Sequence, residues 1–257
     1  MTDRYLEADN VSTGWLAATR LLASSGNPWK HVHLILRIAD PTAETPEIRT
    51  AAQDLIDTVN RRRSEQDHLP HIDTTRNTIF PVAFTGRTDG PEDLAAYYRD
   101  RYRDIQRYRG NRLGTYFGRI VAYPTPGGKS IDQLSNTVEK LRSSITKNQN
   151  RTSRYEIAIY APGRDRNMWM SFPCLAHVSL HYHAGRLHMQ AIYRNESLVP
   201  RAYGNYLGLG QLLAYIADHS GAEVGELLMT LGHVEMGVNI TPVREMLRGL
   251  ADPPEAA

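Results

Sequence analysis

The 257-residue sequence lacks most of the features that would assign it to a specialised class of protein. Its only cysteine is Cys174, so it can form no internal disulfide and is a poor candidate for a thiolate zinc site. No run of about 18 consecutive apolar residues occurs, and the polar start MTDRYLEADN has no apolar segment typical of a secretory signal. We therefore expect a cytoplasmic protein with no membrane partner.

The sequence also lacks an excess of charge of either sign. Lysine and arginine number 30 and aspartate and glutamate 28, which gives a formal net charge of +2. A charge this small provides no general attraction to nucleic acid. Residues 89–110 interleave tyrosine and arginine, but their helical spacing and the balancing Asp100 and Asp104 indicate a half-buried helix. We expect no nucleic-acid partner.

Histidines cluster around one predicted hairpin, which raises the question of a metal site. The cluster consists of His177, His181, His183 and His188. Zinc requires three or four converging ligands, and the alternation of these residues is more typical of a polar sheet face. We interpret the cluster as such a face and expect no metal.

The apolar patterns that are present predict an α+β fold with a mixed sheet. Alternation predicts strands at residues 31–38, 155–160, 176–182 and 186–193, the last two joined as a hairpin at residues 183–185. Helical spacing predicts helices at residues 15–22, 47–63, 130–144 and 207–220, and another that begins at residues 90–93. Strands grouped without strict strand–helix alternation favour α+β over a doubly wound sheet.

Cys174 has the setting that most suggests chemistry. It follows Pro173 between two strand patterns, so its thiol is expected in a loop or at a strand start, where it can face a cleft. A lone cysteine can equally be a small buried apolar residue, and the pattern alone leaves both interpretations open. Arg194 follows Cys174 by 20 residues, and Asn205 follows Arg194 by 11.

This ordered spacing resembles that of the thymidylate synthase family, which includes the pyrimidine-nucleotide hydroxymethylases. The resemblance runs without a gap through residues 153–205, SRYEIAIYAPGRDRNMWMSFPCLAHVSLHYHAGRLHMQAIYRNESLVPRAYGN. Upstream, GTYFGRIVAYPTPGGKSIDQLSNTVEKLRSS, which begins at Gly114, is similar to the family's glycine-tyrosine-glycine strand, proline turn and IDQL helix. The resemblance covers residues 111–236 and implies one thymidylate synthase-like domain over residues 1–257, with a divergent part at 1–110. It also implies a sheet flanked by helices and a homodimer that packs sheet against sheet.

The resemblance assigns the catalytic role to Cys174. Addition of its thiolate to C6 of a pyrimidine would make C5 able to attack a one-carbon electrophile. Arg194 would both favour the thiolate and bind the phosphate of a pyrimidine nucleoside monophosphate. Arg154 matches an arginine that reaches the phosphate in the neighbouring subunit, so the homodimer would complete the site.

Four more residues are expected to bind the nucleotide by the same resemblance. Asn195 stands where the family has a phosphate-binding serine, and Ser197 joins it among the substrate-binding residues. Asn205 matches an asparagine that hydrogen-bonds the pyrimidine edge, which favours uracil over cytosine. His233 matches a histidine that faces the sugar hydroxyl, and Glu235 replaces the tyrosine partner of that histidine, so ribose is an alternative to deoxyribose.

Several positions depart from the family pattern. Leu175 and Ser179 stand where members have a histidine and a glutamine, and no arginine–threonine–glycine phosphate loop occurs. No carboxylate occupies the place of the family's catalytic glutamate. Glu92 is the nearest glutamate downstream of it, and a helix N-terminal carboxylate is the alternative interpretation of Glu92. The family's tryptophan pair beside the folate has no clear counterpart, although Trp169 lies just before the cysteine loop, so methylenetetrahydrofolate is expected from kinship alone.

Three hypotheses follow. The first is a homodimeric enzyme that transfers a methyl or hydroxymethyl group from methylenetetrahydrofolate to C5 through a Cys174 adduct at C6. The second keeps the thiol and drops the folate, so that attack at C6 drives another substitution at C5. The third is a nucleotide-binding descendant without catalysis, which the missing glutamate supports.

Overall fold

One mixed β-sheet, the helices that cover one of its faces and a small two-stranded sheet form the part of the chain that the structure describes. This computed structural model describes residues 4–26, 28–149, 154–167 and 173–250. The strands are β1 (Tyr5–Asn10), β2 (Lys30–Asp40), β3 (Tyr123–Pro124), β4 (Ser130–Ile131), β5 (Tyr155–Ala158), β6 (Leu175–His183), β7 (Arg186–Tyr193), β8 (Glu196–Ser197) and β9 (Glu223–Glu235). The helices are α1 (Val11–Ser24), α2 (Pro46–Asn60), α3 (Ile72–Ile79), α4 (Val82–Thr85), α5 (Pro91–Asp100), α6 (Tyr102–Arg107), α7 (Tyr116–Val121), α8 (Gln133–Thr146), α9 (Pro162–Asp165), α10 (Tyr203–Ser220) and α11 (Ile240–Gly249). A single π-helical turn, Leu198–Ala202, leads directly into α10.

The main sheet has the strand order β1-β2-β9-β7-β6-β5, and the short β8 pairs with the end of β9. β1 and β2 are parallel, as are β7 and β9, whereas β2 and β9, β6 and β7, and β5 and β6 are antiparallel. This arrangement confirms the predicted α+β class and the mixed sheet. β8 continues the direction of β7 beside β9, which brings the residues after β7 to the edge of the functional cavity described below.

Helix α10 forms the centre of the core. It lies between the sheet and helix α3, and nearly all of its residues are buried. Gly204 permits the close approach of α3, because a Cβ atom there would lie 2.5 Å from the carbonyl oxygen of Ile72. The tight contact fixes the first turn of α10, which carries Asn205, against the rest of the fold.

No helix among the described residues covers the other face of the sheet. Leu227, Met229 and Leu231 of β9 point to the helices and are fully buried, while the side chains between them are partly exposed. On this uncovered face Ile35 of β2 and Ile192 of β7 are 37% and 40% exposed. These two strands flank β9, and apolar side chains exposed together on one sheet face are typical of an interaction surface.

The hairpin prediction is confirmed by β6 and β7. Ala184 and Gly185, between the two strands, have φ values of 49° and 84°. Two consecutive positive φ values are the requirement of the two-residue turn that matches strand twist. The predicted strands at residues 31–38 and 155–160 and the predicted helices at residues 15–22, 47–63, 130–144 and 207–220 are also present, with shifted ends.

Two expectations for the fold were wrong. The segment GTYFGRI, expected to be a strand, forms helix α7, because the Thr115 hydroxyl accepts a hydrogen bond from the Gly118 amide and caps the helix. No strand was predicted at β9, which is central to the sheet. Its interior Gly225 weakens the strand pattern, yet a Cβ atom there would lie 2.6 Å from the Leu187 carbonyl oxygen, so the close strand approach needs glycine.

None of the helices within the described ranges combines the length and the apolar content needed to cross a bilayer.

Candidate active site

A cavity of about 300 Å³ opens beside Cys174. Its wall is built from the residues just before β6, from β8, from the π-helical turn with the first turn of α10, and from the loop that enters α7. The residues of this wall that carry chemistry are Tyr116, Cys174, Asn195, Glu196, Ser197, Arg201 and Asn205. Cys174, Asn195, Ser197 and Asn205, four of the residues selected from sequence, therefore line one cavity.

Cys174 lies directly before β6, as its sequence setting predicts, and is partly buried. Its carbonyl oxygen accepts a hydrogen bond of 2.9 Å from the amide of Arg194, which ties the cysteine to the end of β7. Burial raises the pKa of the Cys174 thiol, although the positive charges of Arg194 and Arg201 oppose this shift. The thiol is thus the resting form at neutral pH, and the attraction expected from Arg194 is smaller than the desolvation of the sulfur.

Glu196 and Asn205 form a buried polar pair in the wall of the cavity. Glu196 is 2% exposed and Asn205 3% exposed. Nδ2 of Asn205 donates to both carboxylate oxygens of Glu196, at 3.1 Å and 3.3 Å. Burial raises the pKa of Glu196 to about 8, and the hydrogen bonds from Asn205 and from the Ser197 amide only partly oppose this rise. The site therefore contains a carboxyl group that can gain or lose a proton near neutral pH.

Asn195 and His233 are also joined to each other. Nδ1 of the His233 ring donates to Oδ1 of Asn195, and the His233 amide donates to the Arg194 carbonyl oxygen at 3.2 Å. Asn195 lines the cavity, whereas His233 lies behind it on β9. The histidine that was expected to face a sugar hydroxyl is therefore positioned to orient the Asn195 amide.

Three arginines surround the cavity and differ in how their charge is used. Arg119 is buried and paired with Asp165 through two contacts, of 2.6 Å and 2.8 Å. Arg194 donates from Nε to the Pro173 carbonyl oxygen at 3.1 Å, and Arg194 is not among the described residues that line the cavity. Within the described ranges the Arg201 side chain lines the cavity without a hydrogen bond or ion pair. Arg201 is thus the cation best able to meet an anionic ligand.

Comparisons of the sequence with known proteins identify its family. The family model for thymidylate synthase matches residues 87–248. The chain belongs to the thymidylate synthase family. It is 26% identical over 137 residues to the thymidylate synthase of Corynebacterium aurimucosum, which covers 52% of this chain and 49% of that protein.

Archaeal relatives show a similar degree of likeness. The chain is 30% identical over 125 residues to a protein of Methanothermobacter thermautotrophicus named "Putative thymidylate synthase", with 49% of this chain and 45% of that protein aligned. It is 27% identical over 125 residues to a protein of the same name from Methanosarcina barkeri, with 48% and 49% aligned. The chain spans about half the length of the curated relatives it matches, as expected of a divergent member of the thymidylate synthase family.

Tyr116, Glu196 and Arg201 are cavity residues that the sequence analysis did not select. Tyr116 lies in the segment GTYFGRI, which was recognised without a role for its tyrosine, and burial together with the neighbouring Cys174 and Glu196 raises its pKa. Glu196 stands between Asn195 and Ser197, both of which were selected. Its significance was not visible from sequence because its partner Asn205 lies nine residues away on another element.

Other expected residues do not meet at this cavity. Arg154 is exposed just before β5, and Glu92 lies in the first turn of α5, where the helix dipole stabilises a carboxylate. Trp169 lies outside the described residues. Of the hairpin histidines, His177 pairs with Glu156 on the uncovered sheet face. Among the described residues, no group of three or more histidine, cysteine, aspartate or glutamate side chains could hold a metal ion.

Proposed function

We propose that this member of the thymidylate synthase family transfers a one-carbon unit to C5 of a pyrimidine nucleoside monophosphate, as a methyl or a hydroxymethyl group. The observation that carries the proposal is that one cavity holds a nucleophile, Cys174, and a buried amide suited to reading a base edge, Asn205. The volume of about 300 Å³ is within the lower range for sites that hold small ligands.

The proposed chemistry begins with attack by the Cys174 sulfur on C6. The sulfur must first lose its proton, and it then forms a bond to C6 while the electrons of the 5,6 double bond move towards C5 and the C4 carbonyl. C5 would become nucleophilic, would bond to the one-carbon unit and would lose its hydrogen as a proton, and the bond between the transferred carbon and the folate nitrogen would break. Addition of water would complete a hydroxymethyl group, or a hydride from the folate would complete a methyl group, and departure of the thiolate from C6 restores the 5,6 double bond. Tyr116 and Glu196 are the cavity residues able to hold protons during these steps.

The nucleotide phosphate would be bound by Arg201 together with the amide and hydroxyl groups of Asn195 and Ser197. Arg201 supplies positive charge and a planar set of donors that suits a phosphate. A phosphate bound at Arg201 would also neutralise part of the positive charge that favours the Cys174 thiolate. We therefore assign Arg194, which faces the backbone at Pro173, to support of the cysteine loop as well as to the phosphate.

The one-carbon donor that we propose is methylenetetrahydrofolate. A folate has a flat ring that needs an apolar surface, and both Leu113, which is 54% exposed, and Tyr116 line the cavity. When bound, the folate would supply the one-carbon electrophile. Leu113 and Tyr116 would cover its ring and keep water away from the reacting carbon.

We propose further that the protein works as a homodimer joined through the uncovered sheet face. Apolar side chains on this face include Tyr5, Ile35 and Ile192. Arg154 has the strand parity of Glu156, which pairs with His177 on the same face. The proposed dimer would bury these residues and would allow Arg154 to reach the phosphate in the partner's site.

The experiment that tests the proposal measures release of tritium from C5. The protein is incubated with methylenetetrahydrofolate and each of UMP, dUMP, CMP and dCMP labelled at C5. We expect release from at least one nucleotide and loss of that release in Cys174→Ala. Release that is no faster with folate than without it would support attack by the thiol without one-carbon transfer, and nucleotide binding without any release would support a non-catalytic role. Either of these results would contradict the proposed one-carbon transfer.

A further inference from the structure

The Glu196–Asn205 pair has a property that the proposed chemistry does not use. Both carboxylate oxygens of Glu196 receive hydrogen bonds from the same nitrogen, Nδ2 of Asn205. The other end of the amide, Oδ1, is buried and has no hydrogen-bond partner among the described residues. A buried acceptor without a partner destabilises the protein by about 1–3 kcal/mol, so a ligand that donates a hydrogen bond to this oxygen binds more tightly.

We propose that Glu196 is a specificity-determining residue, which holds the Asn205 amide so that Oδ1 is the atom presented to the base. This inference rests on the proposed function, since it assumes that the cavity binds a pyrimidine. N3 of uracil carries a hydrogen and would donate to Oδ1, whereas N3 of cytosine is an acceptor and would face another acceptor. While Glu196 is ionised, the orientation of the Asn205 amide therefore selects uracil, and Glu196 acts through that amide as a positioning residue.

The selection depends on the charge of Glu196. An ionised carboxylate can only accept hydrogen bonds, which keeps Nδ2 directed at it. A protonated carboxyl group can donate to Oδ1 instead, so the amide can turn and present Nδ2, which is complementary to N3 of cytosine. Because the pKa of Glu196 is raised to about 8, both forms are accessible near neutral pH. The groups that act on Glu196 or are acted on by it are Arg201 of the π-helical turn, Tyr206 and Asn205 of α10, Tyr193 of β7, Tyr116 of α7, and Cys174 before β6.

The test compares the dissociation constants of UMP and CMP by calorimetry between about pH 6 and about pH 9, a range that brackets this pKa. We expect the preference for UMP over CMP to rise with pH through about 8, by a factor on the order of ten. In Glu196→Gln the side chain cannot ionise, so the ratio of the two constants should no longer vary with pH. Glu245→Gln, which changes an exposed glutamate on α11, should behave as the unmodified protein.

A ratio that is independent of pH in the unmodified protein, or one that changes equally in Glu196→Gln and the unmodified protein, would overturn the inference. Binding of both nucleotides together with C5 tritium release would in that case leave the proposed function intact. Failure to bind either nucleotide at any pH would overturn the proposed function and the inference with it. Thermal unfolding of Glu196→Gln without ligand shows whether the variant is folded, and the pH dependence of the unmodified protein tests the inference independently of that variant.

Discussion

At the scale of single residues, the reactivity of Cys174 depends on two competing influences. Burial and the nearby carboxyl of Glu196 raise the pKa of the thiol, while Arg194 and Arg201 lower it. The net result is a raised pKa, so the Cys174 thiol loses its proton at a higher pH than an ordinary cysteine does. The thiol form of Cys174 therefore predominates at neutral pH, and the proton must be removed before the sulfur attacks a nucleotide.

The pH dependence of Cys174 alkylation tests this balance. Iodoacetamide should modify Cys174 with a rate that increases with pH and has a midpoint above the ordinary cysteine range. Removal of the Glu196 charge in Glu196→Gln should lower this midpoint and increase the rate in the alkaline limb by about twofold or more, because a negative charge beside a thiol disfavours the thiolate. An unchanged midpoint, with Glu245→Gln as the matched control, would show that Glu196 does not influence the sulfur.

Residue types and their order were readable from sequence, but partners were not. Cys174, Asn195, Ser197 and Asn205 could be selected because their spacing follows a family pattern. Glu196 could not, because a glutamate in a short strand is ordinarily exposed, and its burial arises only when β8 and α10 meet. The positions of Arg194 and His233 behind the cavity likewise depend on how β7, β8 and β9 align.

At the scale of elements, the contact of α10 with α3 keeps the cavity wall rigid. A Cβ atom at Gly204 would lie 2.5 Å from the Ile72 carbonyl oxygen and 2.6 Å from the Thr75 Cβ, so neither neighbour can give way without backbone movement. Because Asn205 directly follows Gly204 in the first turn of α10, the same contact also fixes the position of Asn205.

Gly204→Ala should therefore lower the free energy of unfolding by about 1–3 kcal/mol, despite the better helix propensity of alanine. Gly249→Ala is the matched control, because a Cβ atom there meets nothing within 4 Å, and it should be neutral or stabilising by up to about 1 kcal/mol. Urea denaturation of the two variants measures the difference. Equal stabilities would show that α3 does not restrict α10.

Elements with clear periodicity were predictable, and those that depend on glycine or on a cap were not. The hairpin β6–β7 has both alternation and a turn signal, whereas β9 contains two interior glycines that obscure its pattern. Helix α7 is short, and the cap at Thr115 stabilises it as a helix, although its sequence was interpreted as a strand.

At the scale of the whole molecule, the uncovered sheet face predicts association of two chains. Light scattering should give a mass twice that of the 29.0 kDa chain. Ile192→Glu places a charge on the apolar part of this face and should shift the protein towards monomers, because burial of an unpaired charge is costly. Ile131→Glu, at a 44% exposed position on β4, should leave the mass unchanged. A monomeric unmodified protein would contradict the proposed dimer.

The proposed chemistry requires the sulfur of Cys174 to form a bond with C6 of a pyrimidine nucleotide. A 5-fluoropyrimidine nucleotide tests whether this bond forms. The hydrogen normally present at C5 is lost as a proton, but fluorine in its place cannot be lost as a cation, so the adduct accumulates. After incubation of the protein with 5-fluoro-UMP or 5-fluoro-dUMP and methylenetetrahydrofolate, mass spectrometry should find the nucleotide and the folate attached to the peptide that contains Cys174, and nothing attached in Cys174→Ala. Binding of the nucleotide without any covalent species on that peptide would contradict the account.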